Sequence, residues 1–458
     1  MPRFYIEQFG CRATQADGAA IERQLRDQGC WQATDAEQAD VVVVNTCTVT
    51  AAADTQARDA IRKIHANNRT ARIVVTGCYA QRAPEEIAAL PGVSFVVGNS
   101  HKPQIPALLH SIEAAPVFPE REDPVPYPSA QVLTGDIFAV SDVLVAPVLG
   151  GEGNHTRPTL KIQDGCNARC SFCVIPFVRG KSRSLPVPTV VSEIERLADS
   201  GFREIVLSGI NLGTYGRDLS PRVEFLDLLR RILDETSVER LRISSIEPMD
   251  VTQDLIELFA ASQRIAPHFH MPLQSASDRI LAAMHRWYRA EHYARRVELI
   301  RERLPHAAVG ADLITGFPGE TEEDHAATMH FIADRPFTYL HVFSYSSRPG
   351  TKAASLPGHI ASHNIKRRAR ELRFLGEEKA AIFRRAQIGQ TLRVLTLRRG
   401  HKDNPGATPA LSGNYLTVMV PETLPANEWI TISVSHAEGK DLVGAPLEAP
   451  LAHAVGTG

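Results

Sequence analysis

The chain has 458 residues, 43% of them hydrophobic and 22% charged, and a formal net charge of −2. This length corresponds to about three domains, and the near-zero charge excludes a polycation, so binding of nucleic acid would need a locally basic surface. No apolar run approaches the ~18 to 20 residues of a membrane span, and the first residues lack the apolar core of a signal peptide. Seven cysteines in such a chain indicate reduced thiols, so we expect a cytoplasmic protein with no membrane partner.

The first hundred residues alternate strand-like and helix-like segments. Strands are predicted at 3–9, 40–45, 72–76 and 93–97, with helices at about 15–28 and 52–68. Strands that alternate with helices imply a parallel sheet. Residues 1–104 are therefore predicted to form an N-terminal parallel α/β domain.

A cysteine follows each of the first three predicted strands: Cys11, Cys47 and Cys78. The carboxyl ends of parallel strands meet at one edge of a sheet, where open α/β folds bind ligands, so we expect the three thiols to converge. The alternative is three unrelated buried cysteines, because free cysteine is among the most buried residue types. Cys30 ends the first helical pattern and is interpreted as structural.

The middle of the chain begins with a change of composition. Residues 105–155 are rich in proline and glycine and are interpreted as a linker or insertion. Residues 156–375 then contain six predicted strands separated by helical patterns, at 159–163, 204–208, 241–245, 268–272, 309–314 and 339–343. Right-handed crossovers wind such units one way, which predicts a partial (β/α)6 barrel with its chemistry at the carboxyl ends of the strands.

The C-terminal part, residues 376–450, is predicted to be a small β-barrel with strands at 392–397, 416–420 and 429–434. Across its start, residues 366–402 carry twelve basic residues and three glutamates, a local excess of nine positive charges. Such an excess in a nearly neutral chain predicts binding to a polyanion. The alternative is a solvated helix face.

The most specific signal is a group of three cysteines on one predicted loop, directly after the first barrel strand: Cys166, Cys170 and Cys173. Thiolates at the spacing Cys-x3-Cys-x2-Cys bind zinc or an iron–sulfur cluster. A structural zinc site needs four ligands, and the sequence has no fourth cysteine or histidine near this loop. Three thiolates on a four-iron cluster would instead leave one iron open for chemistry.

This motif after the first strand of a partial barrel resembles the signature of the radical S-adenosylmethionine (SAM) enzymes, in which the open iron binds SAM. Two cysteine triads and a basic β-module resemble the methylthiotransferases in particular, and the likeness covers nearly the whole chain. Their N-terminal domain, and more loosely their RNA-binding TRAM domain, are matched at Phe9-Gly-Cys11, Asn45-Thr-Cys47, Gly77-Cys78 and Gly413-Asn-Tyr415.

The resemblance implies two 4Fe-4S clusters and SAM as cofactors. The cysteines at 166, 170 and 173 would hold the SAM-binding cluster, and those at 11, 47 and 78 an auxiliary cluster that carries the sulfur to be donated. It also implies a radical reaction that replaces the hydrogen at C2 of an adenine by a methylthio group. The family usually has an asparagine three residues after the first cysteine, where this chain has Thr14, which concerns hydrogen bonding around the auxiliary cluster.

Candidate SAM-binding residues lie near the predicted barrel mouth: Phe172, Gly209, Asn211, Glu247 and Gln274. Phe172 would pack near the adenine, and Gly209 would let the backbone approach the SAM amino group because it has no side chain. Glu247 would accept hydrogen bonds from ribose hydroxyls, as carboxylates do in dinucleotide sites. The alternatives are core packing for Phe172, a plain turn at Gly209 and a salt bridge for Glu247.

Other polar residues near the predicted mouth stay unassigned. Arg179, Lys181 and Arg183 follow the cysteine loop and either contact an anion or face solvent. His268 and His270 alternate on a predicted strand and are not assigned as ligands.

Residues 207–216 and 244–248 resemble the subfamily that acts on threonylcarbamoyladenosine tRNA, the MtaB type. This implies a methylthiotransferase for C2 of N6-threonylcarbamoyladenosine 37, with the tRNA anticodon loop and a flavodoxin- or ferredoxin-like electron donor as partners. The sulfur source stays undetermined. The alternatives are isopentenyladenosine tRNA or a ribosomal-protein aspartate as substrate, or a non-catalytic zinc-binding RNA-binding protein.

Overall fold

A computed structural model describes residues 2–113, 130–144, 147–148, 156–398 and 406–447. Much of the predicted linker lies outside the described residues, as do Arg399 and Lys402 of the basic run and residues 448–450 of the predicted C-terminal domain. Within the described ranges, no helix is long and apolar enough to cross a membrane.

The N-terminal region forms one sheet of six parallel strands: β1 (Arg3–Gln8), β2 (Trp31–Gln32), β3 (Val41–Thr46), β4 (Arg72–Gly77), β5 (Val93–Gly98) and β6 (Gln131–Leu133). Their order across the sheet is β2-β1-β3-β4-β5-β6. Its helices are α1 (Arg12–Asp27), α2 (Ala51–Asn67), α3 (Cys78–Arg82), α4 (Pro84–Ala88) and α5 (Ile105–Glu113). The β-branched run of β3 packs into apolar clusters on both faces of the sheet, as expected for a central parallel strand. The predicted parallel α/β fold is confirmed, but α5 and β6 belong to the stretch predicted as linker, so this domain extends beyond residue 104.

The central region begins with the short strand β7 (Pro147–Val148), and a second short strand, β9 (Arg183–Ser184), follows β8 (Thr159–Asp164) in the chain. Both pair antiparallel with β8. The other strands form a series of six parallel strands: β8, β10 (Glu204–Gly209), β11 (Arg240–Ile243), β12 (His268–Gln274), β13 (Ala308–Thr315) and β14 (Tyr339–Ser344). Bridges from Leu241 to Ile265 and from Ser245 to His270 join β8-β10-β11 to β12-β13-β14. This order confirms the predicted partial barrel of six strands.

The helices of the barrel follow its strands: α6 (Ile175–Arg179), α7 (Val187–Asp199), α8 (Phe225–Glu235), α9 (Gln253–Ala261), α10 (Asp278–Ala283), α11 (Ala290–Arg303) and α12 (Glu322–Asp334). The largest apolar cluster lies between these helices and the strands. The inner face of the strands is therefore free to carry polar side chains. Short 3-10 turns lie at Lys102–Gln104, Ile137–Ala139, Leu212–Thr214 and Lys352–Ser355.

Helix α13 (Ser362–Arg385) packs along β14 and leads into a closed barrel of five strands: β15 (Thr391–Thr396), β16 (Thr408–Ser412), β17 (Thr417–Val420), β18 (Trp429–Glu438) and β19 (Asp441–Pro446). The predicted small β-barrel is confirmed. Strands β16 and β19 were not predicted, because each contains a proline, which weakens the strand signal. The expected boundary between residues 375 and 376 lies inside α13.

The structure neutralises part of the basic run. Arg367 pairs with Glu322 and Glu371, and Arg368 pairs with Glu320 and Glu322. Two of these glutamates lie more than forty residues earlier in the chain, outside the stretch counted above. The local charge count therefore overstated the positive surface. Other basic side chains of α13 are exposed: Lys366, Arg370 and Arg385.

Candidate functional site

Three cysteines lie at the carboxyl edge of the N-terminal sheet, and we call Cys11, Cys47 and Cys78 the N-terminal triad. They follow β1, β3 and β4, which are neighbours in the sheet. Burial raises the pKa of Cys47 to about 12, and the nearby charges of Cys78 and Cys11 add to the shift. The fold thus brings the three thiols together, with Cys11 exposed and the other two buried.

Two glycines allow the loops of this triad to approach each other. Gly10 has a φ of +95°, and a Cβ there would lie 2.4 Å from the Cβ of Cys47. Gly77 has a φ of +99°, and a Cβ there would lie 2.3 Å from the carbonyl oxygen of Thr46. No side chain fits at such separations, and left-handed backbone favours glycine. Both positions therefore require glycine for the thiols to meet.

A buried ion cluster lies between the N-terminal triad and the barrel; it consists of Asp17, Lys102, Lys161, Asp164 and Arg179. Asp17 accepts hydrogen bonds from Lys102 at 2.8 Å and from Arg179 at 3.0 Å, and it also pairs with Lys161. Asp164 accepts from Arg179 at 2.8 Å and from Lys161 at 2.9 Å. Three cations against two carboxylates leave a positive excess beside the thiols.

Arg179 connects the buried ion cluster to the N-terminal triad. Burial opposes its charge, but the carboxylates and the thiols of Cys78 and Cys11 raise its pKa well above the ordinary value. Its guanidinium lies 3.4 Å from the hydroxyl of Thr14, which lies 3.6 Å from Cys11 Sγ. Arg179 is thus enclosed rather than solvated, and Thr14 keeps a polar group beside the first cysteine. This positive surrounding suits the thiolate ligands of an iron–sulfur cluster.

Cys166, Cys170 and Cys173, which we call the barrel triad, lie on the loop between β8 and α6. The backbone amide of Cys173 donates to the carbonyl of Cys170 at 3.1 Å, and that of Ala168 donates to Cys166 Sγ at 3.4 Å. Burial raises the pKa of Cys173 to about 12, and the charges of Cys170 and Cys166 add to the shift. The three thiols therefore share one small site at the carboxyl end of β8.

Arg286, which sequence analysis missed, joins the barrel triad to Glu247. Its guanidinium lies 3.3 Å from Cys170 Sγ and forms a hydrogen-bonded ion pair with Glu247. Burial raises the pKa of Glu247 above its ordinary value, although the charge and hydrogen bond of Arg286 lower it. The predicted ribose-binding carboxylate is thus held next to the thiols by a salt bridge. Arg286 is 116 residues from Cys170, so no local spacing could have revealed it.

The predicted residues at the end of β10 also lie beside the barrel triad. The backbone amide of Asn211 donates to Gln163 Oε1 at 2.8 Å. Burial raises the pKa of Cys166, and the side chain of Asn211 lowers it. Among the described residues, Asn211 Oδ1 and Ser244 Oγ are buried without a hydrogen-bond partner. A Cβ at Gly209 would lie 2.9 Å from Leu212 Cδ2 and 3.0 Å from Gln163 Oε1, so glycine lets these side chains pack against the end of β10. The unpaired Oδ1 of Asn211, close to Cys166, can accept a hydrogen bond from a ligand with amino or hydroxyl groups, such as SAM.

Two other predicted residues have different surroundings. Phe172 packs against an apolar cluster that includes Ile280, Met284 and Phe317. Gln274 ends β12 with a φ of +64°, which is uncommon for a residue with a long side chain. Contacts of Phe172 and Gln274 with SAM stay predictions.

The two triads approach each other between α3 and α6. Cys78 packs with Val174 and Val178, and Val174 directly follows Cys173. The side-chain amide of Asn99 lies 3.6 Å from Cys78 Sγ and donates to the carbonyl of Val178 at 2.8 Å, so it ties the two loops together. The N-terminal triad and the barrel triad therefore border one shared region.

Two family models match this chain: uncharacterized protein family UPF0004 over residues 3–98 and the radical SAM superfamily over residues 160–332. The chain is 38% identical to a threonylcarbamoyladenosine tRNA methylthiotransferase MtaB of Aquifex aeolicus, over 90% of this chain and 95% of that protein. It is 33% identical to a tRNA-2-methylthio-N(6)-dimethylallyladenosine synthase of Sphingopyxis alaskensis, over 97% of this chain and 98% of that protein. The chain belongs to the radical SAM methylthiotransferase family.

Membership of the methylthiotransferase family explains why the chain has two sets of thiols. The radical SAM region implies a 4Fe-4S cluster and SAM, and the UPF0004 region implies a second cluster. Among solved structures, the radical SAM methyltransferase TsrM of Kitasatospora setae aligns with a TM-score of 0.57 and 18% identity, over 77% of each chain. That likeness concerns the fold alone.

Proposed function

We propose that this methylthiotransferase inserts sulfur and a methyl group at C2 of N6-threonylcarbamoyladenosine at position 37 of tRNA, giving the 2-methylthio derivative. The observation that carries the reaction type is the pair of triads that border one region between α3 and α6. The hydrogen at C2 of an adenine is neither acidic nor a leaving group, so positioned acids and bases cannot replace it. A radical site next to a sulfur-bearing site meets this chemical need.

Each part of the site has a role in the proposed reaction. The barrel triad would hold the SAM-binding cluster, which when bound supplies the electron for reductive cleavage of SAM. Asn211 and Glu247 would orient SAM, and Arg286 positions Glu247 while it donates to Cys170. The N-terminal triad would hold the auxiliary cluster, with the charge of Arg179 stabilising its thiolates. A flavodoxin- or ferredoxin-like protein would deliver the electrons.

The choice of base is supported by the relatives and by local sequence. Identity is 34 to 38% to relatives named for threonylcarbamoyladenosine and 32 to 36% to relatives named for dimethylallyladenosine. Residues 207–216 and 244–248, which border β10 and β11, follow the pattern of the threonylcarbamoyl subfamily. Because the difference in identity is small, isopentenyladenosine tRNA is the second candidate substrate.

Binding of RNA is supported by one face of α13. Lys366, Arg370 and Arg385 are exposed there, and Phe374 on the same helix is 63% exposed. Basic side chains pair with phosphates, and an exposed aromatic ring stacks on a base. Together with the C-terminal β-barrel that follows it, α13 would grip the anticodon stem and loop.

The experiment that tests the proposal is mass spectrometry of tRNA nucleosides from a strain that lacks the gene. We expect the methylthio derivative of threonylcarbamoyladenosine to disappear and its precursor to accumulate. The wild-type gene should restore it, and a Cys47→Ala gene should not. Loss of the isopentenyl counterpart instead would establish the second candidate. If neither nucleoside changes, and the purified protein contains zinc without iron or sulfide, the proposal is wrong.

A further inference from the structure

Five side chains on β12, β13 and β14 form a continuous hydrogen-bonded chain that we call the imidazole array: His268, Tyr339, His270, Asp312 and His341. The hydroxyl of Tyr339 lies 2.7 Å from Nε2 of His268 and 2.8 Å from Nδ1 of His270. Asp312 Oδ1 lies 2.9 Å from Nε2 of His270 and 3.2 Å from Nδ1 of His341. The nearest ligand atoms of His270, Asp312 and His341 lie within 4.8 Å of one another. These groups therefore act as one polar unit.

The imidazole array lies on the inner face of the barrel. Phe269, Met271 and Val342 alternate with its members and belong to the apolar cluster under the helices. Successive side chains of a strand point to opposite faces, so the array faces the lumen.

One side of the array borders the barrel triad. The backbone amide of Ile246 donates to the carbonyl oxygen of His270 at 3.0 Å, so Glu247, the next residue in the chain, lies close to the strand that carries two members of the array. Glu247 pairs with Arg286, whose guanidinium donates to Cys170. His270, which is hydrogen-bonded to Asp312, therefore lies close to the groups that would position SAM.

The other side of the array borders the N-terminal triad. The ring of His268 stacks on that of Tyr415 with centroids 4.5 Å apart. The guanidinium of Arg12 lies 3.4 Å from the hydroxyl of Tyr415, and Arg12 directly follows Cys11. The array thus spans the region between the two triads, where the reacting base has to lie under the proposed function.

His341 is the member of the array that a ligand reaches. Its side chain is 54% exposed, and Phe343, on the same face of β14, is 45% exposed. Burial opposes ionisation of Asp312, but hydrogen bonds from His270 and His341 hold its pKa below the ordinary value, so it accepts as a carboxylate. With Nδ1 held by Asp312, the ring of His341 offers Nε2 to a ligand. A protonated imidazole donates from both ring nitrogens, so Nε2 can then donate to an anion.

We propose that His341, positioned by Asp312, binds the carboxylate of the N6-threonylcarbamoyl group and so selects this base over one with an apolar N6 substituent. This inference rests on the proposed function. A carboxylate can pair with the protonated ring, whereas a dimethylallyl group would cover Nε2 of His341 without offering it a hydrogen-bond partner. Loss of one such charge-assisted hydrogen bond corresponds to about a 10- to 100-fold loss of discrimination.

The test uses two anticodon stem-loop RNAs, one with N6-threonylcarbamoyladenosine and one with the neutral threoninamide analogue. Reconstituted wild-type protein should prefer the acid RNA by about 10- to 100-fold in kcat/KM. In His341→Ala, the KM for the acid RNA should be raised enough to remove the preference for the acid RNA over the amide RNA. The KM for the amide RNA should stay unchanged. His330→Ala, an exposed histidine on the outside of α12, is the matched control and should keep the preference.

The other outcomes separate this inference from the proposed function. If His341→Ala keeps the preference, or loses activity equally on both RNAs, the inference is overturned and the proposed function stands. The inference is also overturned, and the proposed function stands, if the wild-type protein contains zinc that His341→Ala lacks, because the imidazole array would then be a cation site. If wild-type protein modifies only an isopentenyladenosine RNA, both the inference and the proposed function fall.

Discussion

The barrel triad occupies eight consecutive positions of one loop, from Cys166 to Cys173, whereas the N-terminal triad gathers its thiols from the ends of three neighbouring strands, over residues 11–78. The barrel triad forms when this one loop adopts its conformation, which backbone hydrogen bonds stabilise. The N-terminal triad exists only when β1, β3 and β4 have paired and two glycines let their loops touch. Two sites of the same donor chemistry thus depend on different levels of structure.

Each triad lies beside one buried arginine, and the two arginines act differently. Arg286 donates directly to a thiol of the barrel triad, Cys170 Sγ, at 3.3 Å. Arg179 directs its hydrogen bonds to Asp17 and Asp164 and influences the N-terminal triad through its charge. Since Asp17 lies in α1 and Asp164 in β8, the surroundings of the N-terminal triad depend on how that domain packs on the barrel.

Replacing one cysteine in each triad should have the largest effect and tests whether the two triads have separate roles. We expect Cys170→Ala to abolish both 5′-deoxyadenosine formation and the methylthio product, because the proposed SAM-binding cluster needs the barrel triad. Cys47→Ala should still cleave SAM but form no methylthio product, and each variant should retain about half of the iron. Both products are quantified by mass spectrometry after anaerobic reconstitution. Cys30→Ala should keep both activities, and equal loss of SAM cleavage in the two triad variants would contradict separate roles.

Removal of Asp17 tests how far the N-terminal triad depends on the buried ion cluster. Asp17→Ala leaves Lys102, Lys161 and Arg179 without their shared carboxylate, so we expect a loss of about 3 to 5 kcal/mol in the free energy of unfolding. Urea denaturation of the cluster-free protein measures it. Asp59→Ala removes a solvent-exposed partner of Arg62 and should change the midpoint little. Similar midpoints for both variants would show that the buried charges do not hold the domains together.

The pH dependence of the free energy of unfolding also tests the contribution of the buried ion cluster. Burial opposes ionisation of Asp17, but Lys102, Lys161 and Arg179 hold its pKa well below the ordinary value of about 3.8. A carboxyl group whose pKa is lower in the folded state than in the unfolded state stabilises the folded protein at pH values above the unfolded-state pKa. This stabilisation is lost as the pH falls towards the folded-state pKa. Below about pH 4, wild-type stability should therefore fall more steeply than that of Asp17→Asn. Urea midpoints across this range measure it; parallel curves would exclude Asp17 as the cause.

The smallest expected effect concerns the two arginines. Arg286→Lys keeps the charge but loses the bond to Cys170, so the reduction potential of the cluster at the barrel triad should become more negative. Arg179→Lys keeps the charge through which Arg179 acts, so the other cluster should change less. Redox titrations followed by electron paramagnetic resonance measure both potentials. A larger shift in Arg179→Lys than in Arg286→Lys would reverse the assignment.

Prediction from sequence succeeded where the relevant residues are close together in the chain or lie at equivalent points of a repeated unit. The strand predicted at 72–76 is β4, Arg72–Gly77, and the strand predicted at 309–314 is β13, Ala308–Thr315. Alternation of strands and helices was enough to predict a parallel sheet and a partial barrel. Convergence of the N-terminal triad could be inferred because parallel strands end at a common edge.

The sequence by itself determined the three-part fold, the barrel triad and the positions of the other three cysteines. Tertiary structure alone decided which charges meet: Lys102 and Asp17 are 85 residues apart, Arg179 and Asp17 are 162 apart, and Arg286 and Cys170 are 116 apart. The imidazole array likewise joins three strands, from His270 to His341. Hydrophobic periodicity encodes which face of an element is buried, but a buried charge takes its partner from whichever element packs against it. That choice depends on domain packing, which no local pattern records.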